Sequence, residues 1–144
     1  MEEGEYLENA KEELKRVDHL IYVSLKYTRT CDVFKNIIQR LINSLEFGLD
    51  AILQKLETEH RIFEMPEQPG AKCNTVKEHV QDEKVLKMVE FYLLLRQMNR
   101  AEFSREREYR RHVTMTVVID GKPIEVNIDS ITQNFKDAKD YIEH

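Results

Sequence analysis

The sequence predicts a mainly α-helical protein: an antiparallel bundle of three long helices, then a β-hairpin and a short terminal helix. Residues 5–28 and 31–57 repeat apolar side chains at steps of three and four, the spacing of amphipathic helices. An Asp-Gly pair between two alternating segments predicts the hairpin. Because 144 residues suffice for one core, we expect a single domain, 1–144. Its predicted parts are a helical bundle over 5–112, a hairpin over 113–129 and a terminal helix over 130–143.

Composition narrows the class of protein. Charged residues make up 34% of the chain, and the net charge of −5 argues against a generally basic nucleic-acid coat protein, although a local basic patch stays possible. The longest purely apolar run, Phe91–Leu95, is far shorter than the ~20 residues of a membrane span. The acidic first five residues lack the apolar core of a secretory signal. We therefore expect a cytoplasmic protein without membrane association.

The first helix, residues 5–28, has an apolar stripe and a charged face. The charged face supports the helix by pairing at steps of three and four. Its members are Glu12, Glu13, Lys15 and Arg16. From Leu20 onward the helix is apolar on more sides, which predicts cover by a second neighbour or by a second subunit.

The second helix, residues 31–57, carries a wide apolar face that is interrupted by Gly48. Glycine costs about 1 kcal/mol of helix propensity relative to alanine, so we expect it to permit a close helix approach, with a bend as the alternative. Cys31 and Cys73 fall at opposite ends of the predicted bundle, and we expect two free thiols. The connection 58–74 contains the clearest break, and its apolar residues predict that it packs back on the bundle: Ile62, Phe63 and Met65.

The third helix begins at a cap at Asn74 or Thr75. Since no glycine or proline occurs up to Arg111, it could run unbroken for about 55 Å. Two alternatives stay open: the helix projects beyond the bundle, or it breaks near Asn99–Ser104.

The hairpin turns at Asp120-Gly121, a pair that favours a type I′ turn. A two-residue turn fixes the register, and the facing pairs on one side are all apolar. They are Val113 with Ile128, Met115 with Val126, and Val117 with Ile124. Pro123 blocks strand addition at its own edge, whereas the edge of strand 113–119 is predicted to stay open. Ser130 and Gln133 have capping-box spacing and predict the start of the terminal helix.

The densest positive charge lies between the third helix and the hairpin. Residues 96–112 contain six arginines against three glutamates. On an unbroken helix, one stripe of arginines could hold phosphates by bidentate hydrogen bonds: Arg96, Arg100, Arg107 and Arg111. The alternative is a solvated helix on which glutamates neutralise the cluster. The candidate anion- or RNA-binding residues are Arg96, Arg100, Arg105, Arg110 and Arg111.

His112 closes this segment and is preceded by Arg107 at R-x4-H spacing, or by Arg105 at R-x6-H spacing. An imidazole can move a proton at neutral pH, and a guanidinium can stabilise charge that develops on a phosphate. This pair could therefore cleave RNA without a metal. The alternative is a structural histidine at the helix-strand junction.

The chain resembles the HEPN family of small helical proteins, through the charged opening helix Tyr6–Leu14 and through Arg107 (or Arg105) with His112. The resemblance implies a metal-independent endoribonuclease that pairs two copies of its R-x4–6-H motif across a dimer. His112 would be the general acid-base and Arg107 the phosphate ligand. The family motif lies on a helix, whereas His112 here meets a β-pattern.

Two functional classes thus remain from the sequence. The first is an RNA-directed, HEPN-like protein. The second is a non-catalytic interaction or scaffold module that binds a protein or another acidic partner. We expect a homodimer in both cases, because the apolar end of the first helix and the open strand edge require cover. No metal site, cofactor motif or phosphate loop is expected.

Overall fold

The computed structural model describes residues 3–24, 31–101, 103–106 and 114–143. It is mainly helical and adds a small antiparallel sheet, which confirms the predicted fold class. The helices and strands follow one another in the chain as α1 (Glu3–His19), a π-helical turn (Leu20–Ser24), α2 (Cys31–Thr58), α3 (Pro69–His79), α4 (Glu83–Arg100), β1 (Phe103–Glu106), β2 (Thr114–Ile119), β3 (Lys122–Val126) and α5 (Ile128–Glu143).

Helix α2 is the centre of the bundle. It packs against α1, α3, α4 and α5, and its 28 residues span about 42 Å. Its apolar face is buried almost completely, as the repeating pattern predicts. Gly48 lies where α5 crosses, and a Cβ at this position would stand 2.8 Å from Cδ1 of Ile142. The predicted close helix approach is confirmed.

The end of α2 has a specific hydrogen-bonding pattern. The backbone amides of His60 and Arg61 donate to the carbonyls of Glu57 and Leu56, and His60 adopts a left-handed backbone with φ 59°. This is the Schellman arrangement that terminates many helices. It turns the chain into the connection 59–68, in which Ile62 and Met65 pack on the core while Phe63 is fully exposed. The connection therefore packs back on the bundle as predicted, but through Ile62 and Met65 and not through Phe63.

The predicted third helix is two helices. The first, α3, begins at Pro69, a residue that suits the first helical position because it lacks the amide hydrogen that would stay unpaired there. The chain then breaks at 80–82, and α4 begins with Asp82 as its cap, whose carboxylate accepts from the amides of Lys84 and Val85 at 2.9 and 3.4 Å. The predicted start at Asn74 or Thr75 is therefore wrong. Since α4 ends at Arg100, the alternative of an unbroken helix through Arg111 is wrong as well.

The hairpin agrees with its predicted turn and register. Asp120 and Gly121 both have positive φ, 52° and 76°, as a type I′ turn requires. The observed partners include Met115 with Val126, Val117 with Ile124 and Val118 with Pro123. Val113 lies outside the described residues, and Ile128, its predicted partner, begins α5 instead.

The edge of β2 is not open, because β1 pairs with it in antiparallel orientation from Phe103 opposite Val117 to Glu106 opposite Thr114. The prediction of a two-stranded ribbon is wrong, since a third strand lies within the range assigned to the helical bundle. Met115, Val117 and Val126 are buried against the helices. The sheet is thus supported on a face and on both edges of its central strand, which removes one of the reasons to expect a dimer.

The cap of α5 lies three residues before the predicted one. Asn127 Oδ1 accepts from the amide of Ser130 at 2.8 Å, and the amide of Asn127 donates to Ser130 Oγ at 2.9 Å. This reciprocal pair is a capping box with Asn127 as the N-cap. Ser130 has the third position of the box rather than the first.

Candidate nucleic-acid interface

The structure places three of the predicted anion-binding arginines. Arg96 and Arg100 lie on the last turns of α4, and Arg105 lies in β1 opposite Met115. The predicted stripe of Arg96, Arg100, Arg107 and Arg111 needed one unbroken helix, and α4 ends at Arg100. Arg107, Arg110, Arg111 and His112 lie outside the described residues, so the predicted catalytic pair stays a prediction.

Arg96 is partly buried and has a packing role. Its guanidinium lies over the ring of Tyr92, 5.8 Å from the centroid. Tyr92 is fully buried, and burial, together with the negative charge of Glu46, raises its pKa to about 12. Arg100, one turn further on, is exposed. Arg100 is therefore the better placed of the two for an external anion.

A second cationic site, which the sequence did not indicate, lies between α1 and α2. It is a surface pocket of about 340 Å³ lined by charged and polar side chains with one apolar neighbour. The lining residues are Glu12, Lys15, Arg16, His19, Leu20, Asn36 and Arg40. The pocket opens to solvent, and its charged lining could accommodate an anionic group such as a phosphate.

Glu13 forms ion pairs with two of the arginines that line this pocket. It is only 7% exposed, although it belongs to the charged side of α1. Its carboxylate oxygens lie 3.0 Å from Arg16 Nη1 and 3.4 Å from Arg40 Nη1. A guanidinium has five donors, so each arginine keeps others after binding Glu13. One buried carboxylate thereby holds two arginines, from two helices, at one pocket.

The pocket lies beside the C-terminal end of α4. Asn99 Nδ2 donates to Gln39 Oε1 at 2.8 Å, and Lys35 Nζ donates to the carbonyl of Asn99. Gln39 immediately precedes Arg40 on α2, so the pocket and the α4 contact occupy adjacent faces of that helix. Lys35 also lies 5.3 Å from the ring centroid of Phe103 in β1. The pocket is therefore at the end of the molecule where the arginine-rich segment begins.

A separate buried polar cluster joins α2 and α3. Lys72 Nζ lies 2.8 Å from Asp50 Oδ1 and 3.2 Å from Glu46 Oε1. Burial raises the pKa of Asp50, and although burial alone would lower that of Lys72, the hydrogen bond and charge of Asp50 and the charge of Glu46 raise it. Lys72 is thus held as a cation by two carboxylates, which suits a structural link between helices.

The described residues offer little to a metal ion. Within 3–24, 31–101, 103–106 and 114–143, no three histidine, cysteine or acidic side chains are grouped so that they could hold one. Cys31 and Cys73 are free and buried, and burial raises the pKa of Cys73. Across the same ranges, no helix combines the length and apolar character that a membrane span requires.

Sequence reasoning missed Glu13 and Arg40 as site residues. The spacing of Glu13 and Arg16 was visible, but it is equally typical of a solvated helix face. Arg40 is 27 residues from Glu13, and no local pattern connects them. No family model, no curated protein and no solved structure matches this chain.

Proposed function

We propose that this protein binds RNA, with the α1–α2 pocket holding a backbone phosphate near the C-terminal end of α4, where the arginine-rich segment begins. The observation that carries the proposal is the pair Arg16 and Arg40, held together by the buried carboxylate of Glu13. Planar guanidinium groups match phosphate oxygens geometrically, and two of them fixed at one pocket lose little side-chain entropy on binding.

The charge of the pocket supports an anionic ligand. Lys15 pairs with Glu12 at 3.3 Å, whereas Arg16 and Arg40 share the single carboxylate of Glu13, which leaves an excess of one positive charge. The exposed Arg100 lies at the C-terminal end of α4. The excess of positive charge is small. We therefore expect modest, salt-sensitive affinity for the sugar-phosphate backbone and little sequence preference.

The resemblance to the HEPN family extends the proposal to chemistry. His112 would act as general acid-base and Arg107 as phosphate ligand in metal-independent cleavage, and the RNA would approach over Arg100 and Arg105. A cytoplasmic location, where RNA is present and thiols stay reduced, fits this role. The two free cysteines are consistent with such a compartment.

RNA binding is tested by fluorescence anisotropy with a labelled single-stranded oligonucleotide at several salt concentrations. Arg40→Gln and Arg100→Gln should each weaken binding about tenfold and lower the salt slope by roughly 0.7, the value for one phosphate contact on a single strand. Lys87→Gln is the control, because Lys87 is exposed on α4 about 20 Å before Arg100. Equal affinity of all four proteins, or no binding by the wild type, contradicts the proposal and favours an acidic protein partner.

Cleavage is tested separately, by incubating the same RNA with wild type and with His112→Ala in EDTA. Metal-independent cleavage that the substitution abolishes would support the nuclease. Binding without cleavage would leave an RNA-binding protein that is not a catalyst.

A further inference from the structure

His19 lines the α1–α2 pocket together with the two arginines that Glu13 holds. It is the last residue of α1 and follows Arg16 by three positions, so the two side chains are neighbours on the helix surface, with Cβ atoms about 5–6 Å apart. Arg40 reaches the same pocket from α2. Two guanidinium groups and one imidazole therefore line one site.

The backbone changes its helical form immediately after His19. The next five residues, Leu20–Ser24, form a π-helical turn, and the first of them lines the pocket. Such turns are rare and occur frequently at functional sites. The π-helical turn is thus an observation, independent of charge, that points to this end of α1.

The imidazole of His19 is available to a ligand. It is exposed, and within the described ranges it forms neither a hydrogen bond nor an ion pair. A neutral imidazole has one N–H donor, whereas an imidazolium has two. Because histidine changes its charge between pH 5 and 8, and because a nearby negative charge favours the charged form, an anion in the pocket can draw a proton onto the ring near neutral pH.

The net charge of the pocket depends on that proton. Lys15 is paired with Glu12 at 3.3 Å, and the two arginines share the single carboxylate of Glu13. These groups, four on α1 and Arg40 on α2, leave an excess of one positive charge beside a neutral His19 and of two beside an imidazolium. A phosphodiester within an RNA strand carries one negative charge, whereas a phosphomonoester carries about −1.5 to −2 at pH 7 and presents three acceptor oxygens.

We propose that this pocket selects the terminal phosphomonoester of an RNA strand, with His19 protonated on binding. The proposal rests on the RNA binding proposed above and names the part of the strand that the site prefers. Arg16 and Arg40 donate from the guanidinium nitrogens that Glu13 leaves free, and the imidazolium supplies the second unbalanced positive charge. An internal phosphate enters the same pocket with lower affinity, since it has less charge and fewer free oxygens.

Fluorescence anisotropy with three internally labelled, single-stranded oligonucleotides of one sequence tests this selection. One carries a 5′-phosphate, one a 3′-phosphate, and one has hydroxyl groups at both ends. At pH 7, a phosphate on at least one end should raise the affinity about tenfold, the effect of one added charge-assisted hydrogen bond. His19→Gln should abolish most of this gain. His19→Lys should keep it, because a lysine side chain is charged throughout the experiment.

The pH dependence of the gain separates this role from a structural one. Above pH 7 the terminal phosphate stays dianionic while the imidazole loses its proton. The gain should therefore fall between about pH 7 and 8.5 in the wild type and persist in His19→Lys. His60→Asn is the control, since His60 is exposed at the far end of α2, about 27 Å from Arg40 along the helix, and asparagine tolerates its left-handed backbone. This variant should keep the full gain and its pH dependence.

Each part of the proposal has an outcome that overturns it. Equal affinity for the three strands overturns the selection of an end, and the RNA binding proposed above stands if Arg40→Gln still weakens the hydroxyl-ended strand. A gain that His19→Gln retains overturns the role of His19. Displacement by a free nucleoside monophosphate as effective as that by unlabelled RNA overturns the assignment to a strand. If none of the strands binds, both proposals fail.

Discussion

The hydroxyl of Tyr92 shows how burial affects the stability contribution and the pKa of a single side chain. The hydroxyl oxygen makes no hydrogen bond of good geometry with the described residues, although the whole side chain is buried in the core and the guanidinium of Arg96 lies near enough to offset slightly the rise in pKa that burial causes. A buried hydroxyl without a partner costs about 1–3 kcal/mol of stability. The same burial raises its pKa from 10.0 to about 12, so the folded state holds the phenolic proton more tightly than the unfolded chain does.

This gives a prediction for Tyr92→Phe. At neutral pH the variant should be more stable by about 1 kcal/mol, because no unpaired hydroxyl is buried. In the wild type, the unfolded chain ionises above pH 10 while the folded state keeps its proton, so stability falls by about 1.4 kcal/mol per pH unit until about pH 12. The Tyr92→Phe variant has no phenol at this position, so this contribution to the fall of stability above pH 10 should be absent. Urea unfolding at pH 7 and between pH 9 and 11 measures both effects.

Tyr141→Phe is the control for this experiment, since Tyr141 is half-buried and packs against Phe91 with ring centroids 5.7 Å apart. Destabilisation of Tyr92→Phe by more than 1 kcal/mol at pH 7 would mean that the hydroxyl has a partner after all, and the explanation from an unpaired group would fail.

At the scale of elements, the crossing of α2 and α5 balances helix propensity against packing. Alanine at position 48 would gain about 1 kcal/mol of propensity, but its Cβ would meet Cδ1 of Ile142 at 2.8 Å. That atom is the end of a flexible side chain beside a cleft, so it can turn aside at a cost of about 0.5–1.5 kcal/mol. The two terms nearly cancel.

We therefore expect Gly48→Ala to change stability by less than about 0.5 kcal/mol in the wild type. In the Ile142→Val background, which lacks Cδ1, the same substitution should gain close to 1 kcal/mol. A double-mutant cycle in urea measures the coupling between the two positions. If the stability changes of the two substitutions were strictly additive, steric contact with Ile142 would not be what restricts the residue at position 48.

Helices and turns that are specified by neighbouring residues in the sequence could be predicted. A strand that forms only because a distant segment pairs with it could not. Asp120-Gly121 carries its own turn geometry, and the face of α2 repeats over many turns. By contrast, Phe103–Glu106 is a short segment amid residues of high helix propensity, and it becomes a strand because β2 offers an edge. The break before α4 had a usable signal, since Asp82 is a good N-cap three residues before Val85.

At the scale of the molecule, one hydrophobic core connects bundle and sheet. The same cluster contains Ala10 of α1, Met115 of β2, Val126 of β3 and Ile131 of α5. Cys31 Sγ, at the start of α2, also donates to the carbonyl of Thr114 at 3.5 Å. Sheet and helices therefore depend on shared contacts.

We expect Met115→Ala to lower the free energy of unfolding by about 2–5 kcal/mol, in a single transition. Far-ultraviolet circular dichroism, which reports the helices, and tyrosine fluorescence should give coincident curves. Val118→Ala, an exposed residue of the same strand, should change stability little. A separate early transition for the sheet would contradict one cooperative unit.

The candidate site could be predicted only in part, for the same reason of distance along the chain. The arginine-rich segment is visible in the sequence, and Arg96 and Arg100 lie at the end of α4. The pocket held by Glu13 needs α1 and α2 side by side, and a cleft of about 820 Å³ at the C-terminal half of α2 needs α1, α2, the α3–α4 break and α5 together. Such sites follow from packing and have no local pattern.

The rates at which the two buried thiols react with a reagent can measure how often parts of the fold open. A thiol-modifying reagent reaches neither Cys31 nor Cys73 until the surrounding structure opens, and these are the chain's only cysteines. Cys31 reports where α2 meets the sheet, and Cys73 reports where α3 packs on the bundle. The two rates of labelling under native conditions would therefore separate local opening of α3 from release of the sheet, without any substitution in the protein.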